Sequence, residues 1–197
     1  MKAALLSGGM DSIALAYQER PAIAFTIDYG QVCASAEIEA AGVVAEALDC
    51  RHEIIRVDCR ALGAGDLAMK AAHSLGAAQE WWPYRNQLLV TLAAMRGVDL
   101  GVTELLLASV KSDGTFRDGT AEFVERIDAL LSFQEGAMRL RAPAAHLTTE
   151  ELVRQSAVPF SLLAWAHSCH CSNFACGDCR GCYKHQLTMD ALGYGRY

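Results

Sequence analysis

The chain has 197 residues, of which 52% are apolar and 20% charged, and its formal net charge is −6. This composition suits one domain with a full hydrophobic core, carrying at most a small appendage, and excludes a disordered chain. The negative balance excludes a general electrostatic pull toward nucleic acid or an anionic membrane, and no apolar run approaches the roughly 20 residues of a membrane helix.

Residues 2–6 read as a buried strand that runs at once into Ser7-Gly8-Gly9. That apolar stretch is too short for a signal-peptide core, so a cytoplasmic location is expected. Residues 11–19 have helical spacing, and 22–27 form a second strand ending at Asp28-Tyr29-Gly30. Residues 36–48, rich in Ala and Glu, predict a helix, with Glu37 and Glu39 on its solvated face. Residues 53–57 predict a third strand, and 63–80 a mobile loop over the site. A helix over 86–95 follows Pro83, and 105–110 predict a fourth strand. The helix over 122–134 places Phe123, Ile127, Leu130 and Leu131 on one face. A short fifth strand falls at 138–142, and 149–155 predict a helix capped by Thr148 or Thr149, with Glu150 or Glu151 in its first turn. Strands alternating with helices imply right-handed crossovers and a doubly wound parallel α/β sheet, Rossmann-like in type. The expected organisation is an α/β domain over 1–165 and a small metal-held lobe over 166–197.

Ser7-Gly8-Gly9-Met10-Asp11-Ser12 joins the first strand to the first helix, where a doubly wound fold places its phosphate site. Gly8 and Gly9 permit close backbone approach, and the helix start offers free N–H groups and a positive dipole end. Ser7 and Ser12 add hydroxyl donors. Asp11 is itself an anion, so it holds Mg²⁺ or orients the loop. The lysine and spacing of a Walker A loop are missing. The plainer alternative, a glycine turn with Asp11 or Ser12 as helix cap, explains less of the motif. Ser-Gly-Gly-x-Asp-Ser resembles the PP-loop signature of ATP pyrophosphatases, which cleave ATP to AMP and pyrophosphate while adenylating an oxygen.

Of eight cysteines, Cys33, Cys50 and Cys59 are scattered, whereas Cys169, Cys171, Cys176, Cys179 and Cys182 crowd into 14 residues. Two-residue gaps between Cys176, Cys179 and Cys182 let neighbouring sulfurs turn toward one ion, and Cys169 completes a tetrahedron. Four thiolates favour Zn²⁺, or less often an iron–sulfur cluster. Cys171 is a spare or an alternative to Cys169. His167, His170 and His185 are within reach in sequence, and Gly177 and Gly181 ease the knuckle turns. Four protein ligands leave no open position, so the role expected of the metal is structural.

Together the two ends resemble the 7-cyano-7-deazaguanine synthase family, whose C-terminal pattern reads here Ser168-Cys169 through Cys176-Gly177-Asp178-Cys179-Arg180-Gly181-Cys182. The resemblance runs from Leu5 to Cys182. It is supported by Asp28-Tyr29-Gly30-Gln31, by Pro83-Tyr84-Arg85-Asn86, by Asp113-Gly114-Thr115-Phe116-Arg117-Asp118 with Glu122-Phe123, and by Val158-Pro159-Phe160. It implies an ATP-dependent carbon–nitrogen ligase that turns 7-carboxy-7-deazaguanine and ammonia into the nitrile through an adenylate and an amide. The implied cofactors are ATP, Mg²⁺ and Zn²⁺. It assigns nucleotide binding to Leu6, Ser7, Gly8, Gly9, Met10, Asp11 and Ser12, and catalysis to Asp11, Arg85 and Asp118. Substrate binding falls to Tyr29, Gln31, Arg85, Asn86, Asp113, Phe116 and Asp118, and zinc to Cys169, Cys176, Cys179 and Cys182. The expected partners are the deazapurine carboxylate and ammonia, with no stable nucleic acid and no membrane, and a homodimer is the expected assembly. The chain departs from the family in carrying Val32-Cys33 for Arg-His, Asp118-Gly119-Thr120 for Asp-Cys-Arg, and His185 where an arginine stands.

Several of these residues have plainer uses. Arg85 offers a planar fork to a carboxylate or phosphate, but Asn86 also suits a helix N-cap. Trp81 and Trp82 stack on a flat base or, more simply, pack the loop. Asp113 and Asp118 meet a purine-like edge or Mg²⁺, or serve turns, since both precede glycine. Other readings are a paralogous ligase acting on another acid or stopping at the amide, a tRNA-thiolating PP-loop enzyme, and a zinc-ribbon binding module. The net charge counts against the thiolating enzyme, and the lobe's few cations, Arg180, Lys184 and Arg196, count against a nucleic-acid module.

Overall fold

The computed structural model describes residues 1–76 and 78–195; Ala77, Arg196 and Tyr197 lie outside the described residues. Five parallel strands stand in the order β3-β2-β1-β4-β5, formed by β1 (Lys2–Leu5), β2 (Ile23–Asp28), β3 (Arg51–Arg56), β4 (Glu104–Leu106) and β5 (Arg139–Arg141). In register, Ala4 faces Ala24 on one side and Leu106 on the other. The order reverses between β1 and β4, so the crevice for a ligand opens beyond their carboxyl ends.

Helices cover both faces, which is why the central strands read as unbroken apolar runs. Alternation sorts their side chains. Ala3, Leu5, Phe25 and Leu105 pack under α3 (Arg85–Asp99) and α4 (Ala121–Phe133). Ala4, Leu6, Ala24 and Leu106 pack under α1 (Met10–Glu19), α2 (Ala34–Ala47) and α5 (Thr149–Ser156). Within α3, Val90, Ala93, Ala94 and Gly97 form the buried stripe at helical spacing. The predicted cap of α5 is present as a capping box between Thr148 and Glu151.

Some expectations change. The fourth strand ends at Leu106, with one further bond from Leu107 N to Arg141 O (2.8 Å), although Val110 stays buried, because an apolar run records burial rather than pairing. Leu130 is 49% exposed while Ile127 and Leu131, one helical turn apart, are buried. The apolar stripe of α4 is therefore narrower than the spacing suggested. Two helices went unpredicted, α6 (Phe160–Leu163) and α7 (Arg180–Leu192). Met189 of α7 is fully buried in the same cluster as Ala4 and Leu6. Among the described residues no helix is long and apolar enough to cross a membrane.

An ion pair ties α4 to the edge strand. Asp128 accepts from Arg139 Nε (2.9 Å) and from the backbone N–H of Leu140 (2.7 Å). The Arg139 guanidinium, and then that N–H, hold its carboxyl below the usual range. A depressed folded pKa contributes stability above the unfolded value near pH 4, and that stability is lost as pH falls through the folded value. Asp128→Asn is therefore expected to cost about 1 kcal/mol at pH 7, given the half-exposed arginine. In urea titrations the gap to the parent protein should close below pH 4.

Candidate active site and metal centre

At the crevice the loops after β1 and β4 line a cleft of about 470 Å³. The first bond of α1 runs from Ile13 N to Gly9 O (3.0 Å). The N–H groups of the first turn therefore remain as donors for a ligand. Leu6, Ser7, Gly9, Met10, Asp11 and Ser12 line the cleft as expected. Ser7 Oγ meets Ser12 Oγ at 3.2 Å, and Ser12 Oγ donates to Gly9 O at 2.9 Å, which fixes the loop from within.

Gly8 does not line the cleft. Its φ is +76°, and a Cβ there would meet Glu37 O at 2.7 Å and Ala40 Cβ at 3.0 Å. Its small size serves the packing of α2 on the loop instead of an approach to phosphate. Its carbonyl accepts from His167 N (2.9 Å), which seats the C-terminal segment against the loop.

Arg85, at the first turn of α3, lines the cleft. Burial works to lower its pKa, but nearby Tyr29, Asp118, Glu37 and Asp113 raise it above its usual value. It therefore stays a cation. Burial pushes the Tyr29 phenol up, so it stays protonated at neutral pH. Trp82 is buried and meets Tyr29 edge to face at 4.9 Å, so it packs behind a cleft residue and does not line the cleft itself. Asn86 is not the N-cap: Tyr84 precedes α3 in the left-handed region. Asp118 instead receives Asn86 N on its carboxylate (3.3 Å) and Asn86 Nδ2 on its carbonyl (2.9 Å). That contact seats the loop carrying Asp113, Phe116 and Asp118, all of which line the cleft.

Gln31 and Glu37 depart from their expected roles. Gln31 is buried and spent internally, donating to Ile27 O (3.1 Å) and Glu37 Oε2 (2.7 Å), and it does not line the cleft. Glu37 was expected on a solvated face, but it lines the cleft, held by Gln31 and Cys33. Burial raises its pKa. Glu39 is exposed. Of the segment expected over the site, Leu67 and Glu80 line the cleft, and Asp66 N donates to Gln79 O (2.9 Å).

Lys184 of α7 was not foreseen in this role. Its Nζ lies 3.0 Å from Asp11 Oδ2 and 3.8 Å from Asp113 Oδ1. Burial raises the Asp113 pKa and Lys184 opposes the rise. Asp11 Oδ1 and Thr149 Oγ1 are buried without a hydrogen-bond partner among the described residues. A free carboxylate oxygen beside a phosphate-type loop fits a divalent cation carried by a nucleotide.

The sulfur atoms of Cys169, Cys176, Cys179 and Cys182 all lie within 4.8 Å of one another, and Cys171 is not among them. Cys176 and Cys182 are 3.9 Å apart, and Cys179 and Cys169 are 4.0 Å apart. A zinc tetrahedron with bonds near 2.3 Å has edges of about 3.8 Å, so the cluster fits that ion. The backbone N–H groups of Asp178 and Cys179 bring the Cys176 thiol down to about 6, whereas burial pushes the Cys169 and Cys182 thiols up, so a bound cation would be needed to hold all four as thiolates. Gly181 lets α7 start against Ser168 O and the His170 ring, where a Cβ would collide.

A profile described as "Queuosine biosynthesis protein QueC" matches residues 2–192. The chain belongs to the QueC family. Among QueC relatives, the 7-cyano-7-deazaguanine synthase of Desulforudis audaxviator is 30% identical over 96% of each chain. That of Methanocaldococcus jannaschii is 27% identical over 96% of this chain and 94% of its own. Among solved structures, an NMN synthetase from Francisella tularensis superposes with a TM-score of 0.48 at 15% identity, over 100% of this chain and 78% of that one. The QueC assignment agrees with the resemblance read from the two terminal motifs, and the geometry adds Glu37, Lys184 and the Asn86–Asp118 contact to the cleft.

Proposed function

We propose that the chain is an ATP-dependent ligase that converts 7-carboxy-7-deazaguanine and ammonia to 7-cyano-7-deazaguanine. One observation carries the reading: a single cleft gathers the β1–α1 loop, the cation Arg85 and the acids Asp11, Asp113 and Asp118. The substrate carboxylate attacks the α-phosphorus of ATP and pyrophosphate leaves. Ammonia then displaces AMP to give the amide, whose oxygen is activated by a second ATP and lost with AMP to leave the nitrile.

The α1 N-terminus and Ser7 hold the polyphosphate, and Arg85 meets the carboxylate. Asp11 and Asp113 are the residues that would hold Mg²⁺, which neutralises charge on the leaving pyrophosphate. The chain's own share is positioning and fixed charge. The cysteine cluster would hold zinc structurally, and a cytoplasmic location follows from the substrates.

The test is incubation with 7-carboxy-7-deazaguanine, Mg-ATP and an ammonium salt, read by mass spectrometry. The expected product is the nitrile. Accumulated amide would assign a ligase that stops halfway, and unchanged acid with intact ATP cleavage would exclude this substrate.

A further inference from the structure

Among the described residues Glu80, like Glu37, is a cleft acid that the proposed reaction leaves unused, but Glu37 is already held by Gln31 and Cys33. Glu80 is 6% exposed and lines the cleft. Its Oε1 receives Arg180 Nη1 at 2.9 Å. Its Oε2 is buried and has no hydrogen-bond partner among the described residues. A buried carboxylate oxygen without a donor is costly, and an ionised carboxylate can only accept. A donor brought by a ligand would satisfy it.

That ligand portion is not a phosphate, which the acid would repel. Glu80 is also firmly placed. The residue before it, Gln79, is paired with Asp66, and two residues on, Trp82 is buried against Tyr29. Apolar Leu67, Leu89 and Phe116 line the same cleft and suit a flat ring. Two neighbouring acceptor oxygens match two neighbouring donors on a ring edge. A guanine-like base presents such an edge, its ring N1–H beside its exocyclic amino group. An adenine-like base presents an acceptor nitrogen and a C–H there.

We propose that Glu80 reads the guanine-like edge of the substrate base, with Arg180 as its positioning residue. This rests on the reaction proposed above and extends it to the means by which the site separates two purine-like ligands. Arg180 opens α7 between Cys179 and Cys182, so the cysteine lobe sets the orientation of the acid.

The test titrates the full-length protein, followed by tryptophan fluorescence, with 7-carboxy-7-deazaguanine, with its 2-desamino counterpart and with Mg-ATP. The parent protein is expected to favour the amino base by about 100-fold. Glu80→Gln should bring that ratio near one with ATP affinity unchanged. Arg180→Ala should lower the ratio and Arg180→Lys restore part of it. Equal binding of both bases by the parent, or an unchanged ratio in Glu80→Gln, overturns the assignment of Glu80 alone. A parent protein that binds ATP and neither base overturns the proposed reaction, and this role with it.

Discussion

Asp11→Asn is expected to lower substrate-dependent pyrophosphate release about a thousandfold while the protein stays folded. Asparagine keeps the shape of the side chain and removes its charge. In the folded protein that charge has two faces: Oδ2 meets Lys184 at 3.0 Å, and Oδ1 is buried and free. The free oxygen is what a nucleotide-borne cation requires, and a neutral amide oxygen replaces it poorly. Pre-set charges in a water-poor cleft act at the moment pyrophosphate leaves, so the loss falls on kcat as well as KM. The cost to folding is small by comparison. Losing an acid from the first turn of α1 removes about 0.5 kcal/mol, and Lys184 is part-exposed and keeps Asp113 nearby. Activity and melting temperature measured on the same preparation separate the two effects. Near-parental activity would leave Asp11 as a loop-orienting residue, the other use open to it.

The parts legible in the sequence were those written in neighbouring residues. The five parallel strands followed from apolar runs short enough to be strands and separated by helical spacing, whereas their order in the sheet came only from the fold. The phosphate-type loop is six consecutive residues, and three of the four cysteines of the metal cluster are spaced three apart, with two residues between neighbours. The parts not legible depend on which surfaces meet. Glu37 looked solvated because α2 is rich in alanine and its inward face cannot be set by periodicity alone; the approach of Gly8 to Ala40 settles it. Lys184 and Asp11 are 173 residues apart, and only the fold brings them together. Helix α7 was hidden because its first turn carries the cysteine knuckle and its polar composition weakens the apolar signal. Met189 and Leu192, three apart, were the sign available. Gln31 was placed correctly beyond a strand end, yet a buried amide must find partners, and here Tyr29 N, Ile27 O and Glu37 supply them internally.

Metal removal should be the most damaging change of all. Dialysis against a strong chelator, or Cys179→Ser, is expected to abolish activity and lower the melting temperature by at least about 10 °C. Cys179 carries the larger burden because its sulfur also receives the backbone N–H groups of His170 and Cys182, each at 3.4 Å, and it caps α7. Without an ion, four sulfur atoms packed this closely lose the charge that holds them together. The loss would travel along α7, whose first turns carry Arg180 and Lys184, the partners of Glu80 and Asp11. Met189, deep in the core, should hold the far end of the helix. Hydrogen exchange is therefore expected to rise over residues 168–184 and remain slow in β1 and β2. Elemental analysis of the untreated protein should find about one zinc per chain. Iron with visible absorbance would replace zinc by a cluster, and a chelated protein with full activity and unchanged melting would show that the four thiols pack without a metal.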